Sequence, residues 1–188
     1  MGHSQADKAK NRDRILAMAA GQIRESGLES ISVGKLMQSV NLTHGGFYGH
    51  FASRSDLLAQ ALKQALVEGE TVARASNPQG RVRTFATIVK SYLSRTHRDS
   101  RNSGCAIAAL VSDVGRADDQ SRAVMAEHIE AFINKLTETL GEEKATAAVS
   151  TLVGAVALSR VITDPKRSDA ILKAAKDHVL AMNPSEPA

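Results

Sequence analysis

An all-α fold follows from three features of the sequence. Aromatic residues make up 3% of the 188 positions and Trp is missing, whereas a sandwich or barrel calls for many aromatic and β-branched side chains. Apolar residues recur at helical spacing along most of the chain. The breaks between those stretches are short and carry capping chemistry. Hydrophobic residues at 43% allow a sizeable core and exclude whole-chain disorder.

The elements follow in order. From Asp7 to Ser26, Ile15, Leu16, Ala19, Ala20 and Ile23 share one helical face, and Gly27 supplies the stop. Ser32 caps a second short helix whose Val33, Leu36, Met37 and Val40 fall at i, i+3, i+4, i+7. Asn41 suits a left-handed turn, and Thr43 caps a third helix running through Phe47 to Phe51. Ser53 and Asp56 form a capping box ahead of Leu57, Leu58, Ala61, Leu62, Ala65 and Leu66. Asn77-Pro78-Gln79-Gly80 ends that long helix, and Val82, Phe85, Ile88, Val89 and Tyr92 mark the next. His97 to Gly104 reads as a polar loop, and Cys105 to Val114 as a short apolar helix. Ser121 to Leu140, Glu142 to Thr163 and about Pro165 to Met182 complete nine helices, the last with Pro at its start.

Composition narrows the function classes. A single cysteine, Cys105, excludes a disulfide framework and a cysteine zinc cluster. No apolar run reaches the roughly 18 residues of a membrane span, because the best, Ala145 to Leu158, is interrupted by Thr and Ser. The first residues lack the apolar core of a signal peptide, and Ala6 breaks the myristoylation pattern. A cytoplasmic setting without membrane contact is expected. The net charge of +4 and the pI near 9.4 lean weakly toward polyanions. Residues 57 to 182 contain no His-x-x-x-His, phosphate loop or Gly-x-Ser-x-Gly, so neither an enzyme, a metal nor a cofactor is expected.

Residues 32 to 51 carry the functional signal: a capped helix, a turn at Asn41, then a second short helix. This is helix-turn-helix spacing. The second helix contains Gly45, Gly46 and Gly49, each costing about 0.8–1 kcal/mol relative to Ala. Such glycines are tolerated when packing supports the helix or when something approaches its backbone closely. Phe47 and Phe51 face inward. The outer face offers Thr43, His44, the glycines, Tyr48 and His50, with no carboxylate, and suits the phosphate-lined major groove of double-stranded DNA. Through Asp56 there are seven Lys/Arg against five Asp/Glu, and Lys8, Lys10, Arg12 and Arg14 form a basic arm fitted to phosphates.

The run Leu42-Thr43-His44-Gly45-Gly46-Phe47-Tyr48, followed by Phe51-Ala52-Ser53-Arg54, resembles the DNA-binding head of the tetracycline-repressor (TetR/AcrR-type) family of transcriptional regulators. The likeness spans roughly residues 10 to 62, with Arg14-Ile15-Leu16, Ala19-Ala20 and Gly27-Leu28 fitting the first helix. Gly104-Cys105, Ala108-Ala109-Leu110, Val153-Gly154 and Asp164-Pro165 resemble one branch of the family. Asn41 stands where Gly is usual, and Met37 where Ala is common. The resemblance implies a DNA-binding domain over 1–54 and a helical effector-binding and dimerisation domain over 55–188. Thr43, His44, Gly45 and Gly46 would meet base edges or nearby phosphates, and Tyr48, His50 and Arg54 phosphate oxygens.

The family also implies a homodimer through the last two helices. Ala147, Ala148, Ser150, Gly154, Ala155 and Ala157 are small enough for close helix approach. The middle helices would enclose a small-molecule effector, largely apolar, with Phe85, Val89, Tyr92, Leu110, Met125, His128, Ile129 and Phe132 as candidate liners. An apolar stripe at helical spacing is equally explained by plain core. Cys105, at a helix start near His97, Arg98 and Arg101, is a candidate redox or electrophile sensor or a filler of a small buried site. The expected activity is that of a dimeric repressor released from a palindromic operator by its effector. The alternative is a helical ligand-binding or scaffold protein with a vestigial head.

Overall fold

The computed structural model describes residues 5–75 and 83–183, and every described element is helical. Nine α-helices run in order: α1 (Gln5–Ser26), α2 (Val33–Ser39), α3 (Arg54–Ala75), α4 (Phe85–Tyr92), α5 (Arg95–Asp99), α6 (Ala106–Val114), α7 (Asp119–Leu140), α8 (Glu142–Val161) and α9 (Pro165–Leu180). Two 3-10 helices, Leu28–Ser30 and His44–Gly49, fall within the first part of the chain. The expected helix end at Asn77-Pro78-Gln79-Gly80, and Val82 with it, lie outside the described residues.

The punctuation read from the sequence sets most boundaries. Gly27 closes α1 at φ 83°, and Gly141 separates α7 from α8 at φ 78°; both are left-handed conformations that glycine adopts without a Cβ penalty. The Ser53 hydroxyl accepts from the Asp56 amide, as a capping box requires, while the Asp56 carboxylate reaches one residue further back than expected and accepts from the Ala52 amide. Asp118 caps α7 and Asp164 caps α9, whose first residue is Pro165.

Three expectations need correction. The third helix is a 3-10 helix ending at Gly49, with Phe51 beyond it. Three glycines in six residues give an α-helix little intrinsic support, and a tight i to i+3 turn serves instead. The tract expected as a polar loop begins with a helical turn, α5, nucleated when the Ser94 hydroxyl accepts from the His97 amide. Finally, Glu142–Val161 is long and apolar enough, by length and composition alone, to cross a bilayer. Its Ala145, Ala148, Leu152 and Val156 are instead buried in the protein core.

Two hydrophobic cores hold the molecule together. The first joins Ile15, Ala19 and Ile23 of α1, Leu36 and Met37 of α2, and Phe47 and Phe51 to Leu57 and Leu62 of α3. It then continues without a break into Ile107 and Leu110 of α6 and Met125 of α7. The second gathers Phe85 and Val89 of α4, Leu136 of α7, Val149, Leu152 and Val156 of α8, and Leu172 and Val179 of α9. The two meet where α6 and α7 pass between them.

One buried charge ties distant segments to each other. Arg24, 8% exposed, donates to the Asn102 carbonyl at 2.5 Å, to the Ala65 carbonyl at 3.1 Å and to Glu68 at 2.8 Å. It thereby links α1, α3 and the loop before α6.

Candidate nucleic-acid interface and internal cavity

The helix-turn-helix is built around its inward aromatic pair. Phe47 and Phe51 are both 2% exposed, with ring centroids 5.5 Å apart. Met37 is fully buried against the same turn. Asn41 takes φ 60°, the left-handed turn its side chain tolerates. The Thr43 hydroxyl accepts from the Gly46 amide at 3.3 Å and so starts the 3-10 helix.

What faces outward is defined by the glycines. A Cβ added at Gly45 or Gly49 would meet nothing within 4 Å, and one at Gly46 would make only ordinary contacts with Thr43 and Met37. The protein's own packing therefore does not demand these glycines. They leave a bare backbone on the surface, flanked by exposed Thr43 and His44 and by Tyr48, which is 71% exposed despite its aromatic ring.

The basic residues expected at DNA divide into two groups. Lys8 and Lys10 are exposed on α1. Arg12 instead lies over the Phe51 ring, 4.6 Å from its centroid, and donates to the His50 carbonyl and to Gln60. Arg54 likewise donates to the carbonyls of Ile31 and Leu28 and pairs with Glu29 at 3.2 Å. Both guanidiniums tie segments of the head together, Arg54 with 40% of its side chain still exposed. His50 is half-buried, its Nδ1 has no hydrogen-bond partner, and burial together with Lys8 and Arg12 lowers its pKa.

A cavity of about 400 Å³ lies between α3, α4, α6 and α7, closed on one side by α5 and the loop after it. Of the candidate liners, Tyr92, His128 and Phe132 border it. Phe85, Val89, Leu110, Met125 and Ile129 do not; they pack in or against the two cores, as apolar helical stripes commonly do. The sequence reading missed the wall formed by Ser91, His97, Ser103, Gly104 and Lys135. These are small or polar residues without apolar periodicity.

Cys105 belongs to that wall and is half-buried. The Tyr92 hydroxyl donates to its Sγ at 3.0 Å. Its backbone amide donates to His97 Nε2 at 3.1 Å, so that nitrogen carries no proton; Nδ1 carries it and donates to the Tyr92 carbonyl at 2.6 Å. His97 is thus pinned as neutral imidazole, and burial, with Arg160 nearby, lowers its pKa. Burial and the adjacent sulfur push the Tyr92 phenol well above its ordinary value. Behind the loop, Arg160 donates to the carbonyls of Arg98 and His97.

A stripe that is exposed at both ends and half-buried at Thr151 and Gly154 runs along α8. Ala147, Thr151, Gly154, Leu158 and Val161 follow a 4-3-4-3 spacing, the seam period of helix pairs. Leu158 is 61% and Val161 75% exposed, and a Cβ at Gly154 would meet nothing within 4 Å.

A helix-turn-helix head joined to an all-helical body can be compared with known structures as a whole. The chain has the fold of the TetR-type transcriptional regulators. It superposes on the TetR-family regulator of Cytophaga hutchinsonii with a TM-score of 0.77 at 18% identity, covering 99% of this chain and 100% of that one. E. coli NemR in its reduced form gives the same TM-score at 17% identity, covering 95% and 100%. In sequence, the chain is 26% identical to an uncharacterized HTH-type transcriptional regulator of Mycobacterium tuberculosis, over 92% of this chain and 96% of the relative. No protein-family model matches it. The resemblance read from residues 10 to 62 thus holds for the fold of nearly the whole chain.

Proposed function

We propose that the protein is a homodimeric, cytoplasmic transcriptional repressor that leaves a palindromic operator when a small molecule occupies the internal cavity. The observation that carries DNA binding is the outward backbone at Gly45 and Gly49: open space where no intramolecular contact requires glycine, beside exposed Tyr48 and without an acid from Thr43 to His50. Thr43, His44, Gly45 and Gly46 then meet base edges and Tyr48 a phosphate, with Lys8 and Lys10 on the flanking backbone. Arg12, Arg54 and His50 act by bracing this surface. The intact Phe47–Phe51 pair argues against a vestigial head.

Dimerisation uses the outer face of α8 with α9, where small residues permit close approach and Leu158 and Val161 otherwise remain exposed. Two heads related by a two-fold axis read half-sites roughly one turn, ~34–36 Å, or a multiple apart. Release works through differential affinity: a ligand that prefers the cavity in a conformation with misplaced heads lowers DNA affinity by that preference. Arg24 supplies a direct route, since it connects α1 to the loop that walls the cavity. Cys105 in that wall carries a second reading, in which thiol-reactive molecules act as effectors.

A salt titration of binding to the intergenic DNA flanking the protein's own gene tests the main reading. Tight binding with a steep negative salt slope, weakened in Tyr48→Ala, is expected. Binding by both proteins no better than to random duplex would leave the vestigial-head reading standing.

A further inference from the structure

The cavity has a one-sided charge complement. Its described lining contains Arg83 and Lys135 as cations, His97 and His128 as imidazoles, and no carboxylate. The chain as a whole carries 24 Lys+Arg against 20 Asp+Glu, so composition alone does not produce that imbalance. On α7, His128 and Lys135 stand two turns apart on one face, with Ala131 and Phe132 between them. Lys135 is exposed and makes no ion pair with a described residue. Leu66, Ile88 and Ile107 give the cavity an apolar side, and Phe132 packs on Tyr92 with centroids 5.6 Å apart.

We propose that the cavity takes an amphipathic monoanion, an acid group on an apolar body, with Lys135 as its counter-charge. The proposal rests on the reading of this cavity as the effector site and names the chemistry of the effector. The volume of about 400 Å³ lies within the range of small-molecule pockets, roughly 300–1,000 Å³. A cation entering would lose water and find no carboxylate among the described lining residues to replace it, which disfavours it relative to an anion. A neutral apolar molecule would fill the Leu66, Ile88 and Ile107 side but gain nothing from Lys135. A carboxylate satisfies both, exchanging hydration for a charge-assisted hydrogen bond to the lysine. His97 cannot serve as the counter-charge, because both its nitrogens are engaged by backbone groups. Its part is to hold the Cys105 end of the wall in place.

The experiment is calorimetric titration of the full-length protein with octanoate, octan-1-ol and octylamine, which share one chain and differ in head group. Octanoate is expected to bind and to raise the unfolding temperature, with octylamine inert. Lys135→Met is expected to weaken octanoate about tenfold or more, and Lys135→Arg to restore it. Lys135 is exposed on α7, so neither variant threatens folding, and unchanged circular dichroism checks this. The proposal is overturned if octylamine or octan-1-ol binds as tightly as octanoate, if octanoate does not bind at millimolar concentration, or if Lys135→Met keeps full affinity. Operator release is measured separately. Octanoate bound without effect on DNA would leave the acid-binding cavity intact and defeat the regulator reading, whereas DNA binding without octanoate affinity would do the reverse.

Discussion

The recognition turn and the cavity are opposite solutions to presenting a surface. The turn is assembled from eight consecutive residues, Thr43 to His50, and works by what it lacks: Cβ atoms at Gly45 and Gly49, and carboxylates throughout. The cavity draws its wall from α3 through α7, with residues from Leu66 to Lys135, and works by what converges there. A local surface can be altered with little consequence for stability, provided the aromatic pair behind it stays. A convergent one cannot be separated from the packing that creates it.

The largest expected effect breaks the turn from behind. Phe47→Ala removes a buried ring and should destabilise the protein by about 3–5 kcal/mol, measured by urea unfolding, with DNA binding lost alongside. Replacing Arg12 by Ala removes the guanidinium from Phe51, the His50 carbonyl and Gln60; a loss of about 1–3 kcal/mol is expected in the same assay. Substituting Gly45 by Val sharpens the comparison from the front. The added side chain enters open space, so the unfolding midpoint should hardly move while operator affinity falls about tenfold or more by exclusion of the DNA backbone. Loss of stability comparable to that of Phe47→Ala would show that the glycine serves folding instead.

The smallest effect is a pH dependence, and it belongs to the cavity. His97 is held neutral, with its folded pKa below the ordinary 6.5, so the unfolded chain binds a proton more readily than the folded one. Stability from this group is complete above about pH 6.5 and declines as pH falls through that value. His50 contributes in the same direction. Thermal unfolding of His97→Gln between pH 7.5 and 5.5 should therefore show a flatter profile than wild type; an unchanged slope would remove His97 from this account.

The same contrast explains what could be read from sequence. Helix-turn-helix order, the Asn41 turn, the Thr43 and Ser53 caps and the inward Phe pair are encoded within a few residues of each other, and each appears where spacing places it. The 3-10 character of His44–Gly49 was hidden because periodicity over six residues does not separate the two helix types. The intramolecular partners of Arg12 and Arg54 were not legible, because a charge in sequence carries no sign of the carbonyls it will meet 23 to 38 residues away. In the cavity, apolar periodicity found Tyr92 and Phe132 but also led to Val89, Leu110 and Met125, which are core. His97, Ser103 and Lys135 carried no local signal, since only the convergence of five helices gives them a common space.

The unbroken first core has a consequence for how the molecule can be divided. Leu57, Leu62, Leu110 and Met125 lie outside the first 54 residues, yet they complete the packing around Ile15, Ile23 and Phe47. A fragment cut at residue 54 would expose that apolar surface and forfeit the Arg24 contacts to Ala65, Glu68 and Asn102. The DNA-binding head is therefore not a detachable module. Its unfolding should coincide with that of α6 and α7, in one cooperative step, so that anything stabilising the body also protects the head from proteolysis.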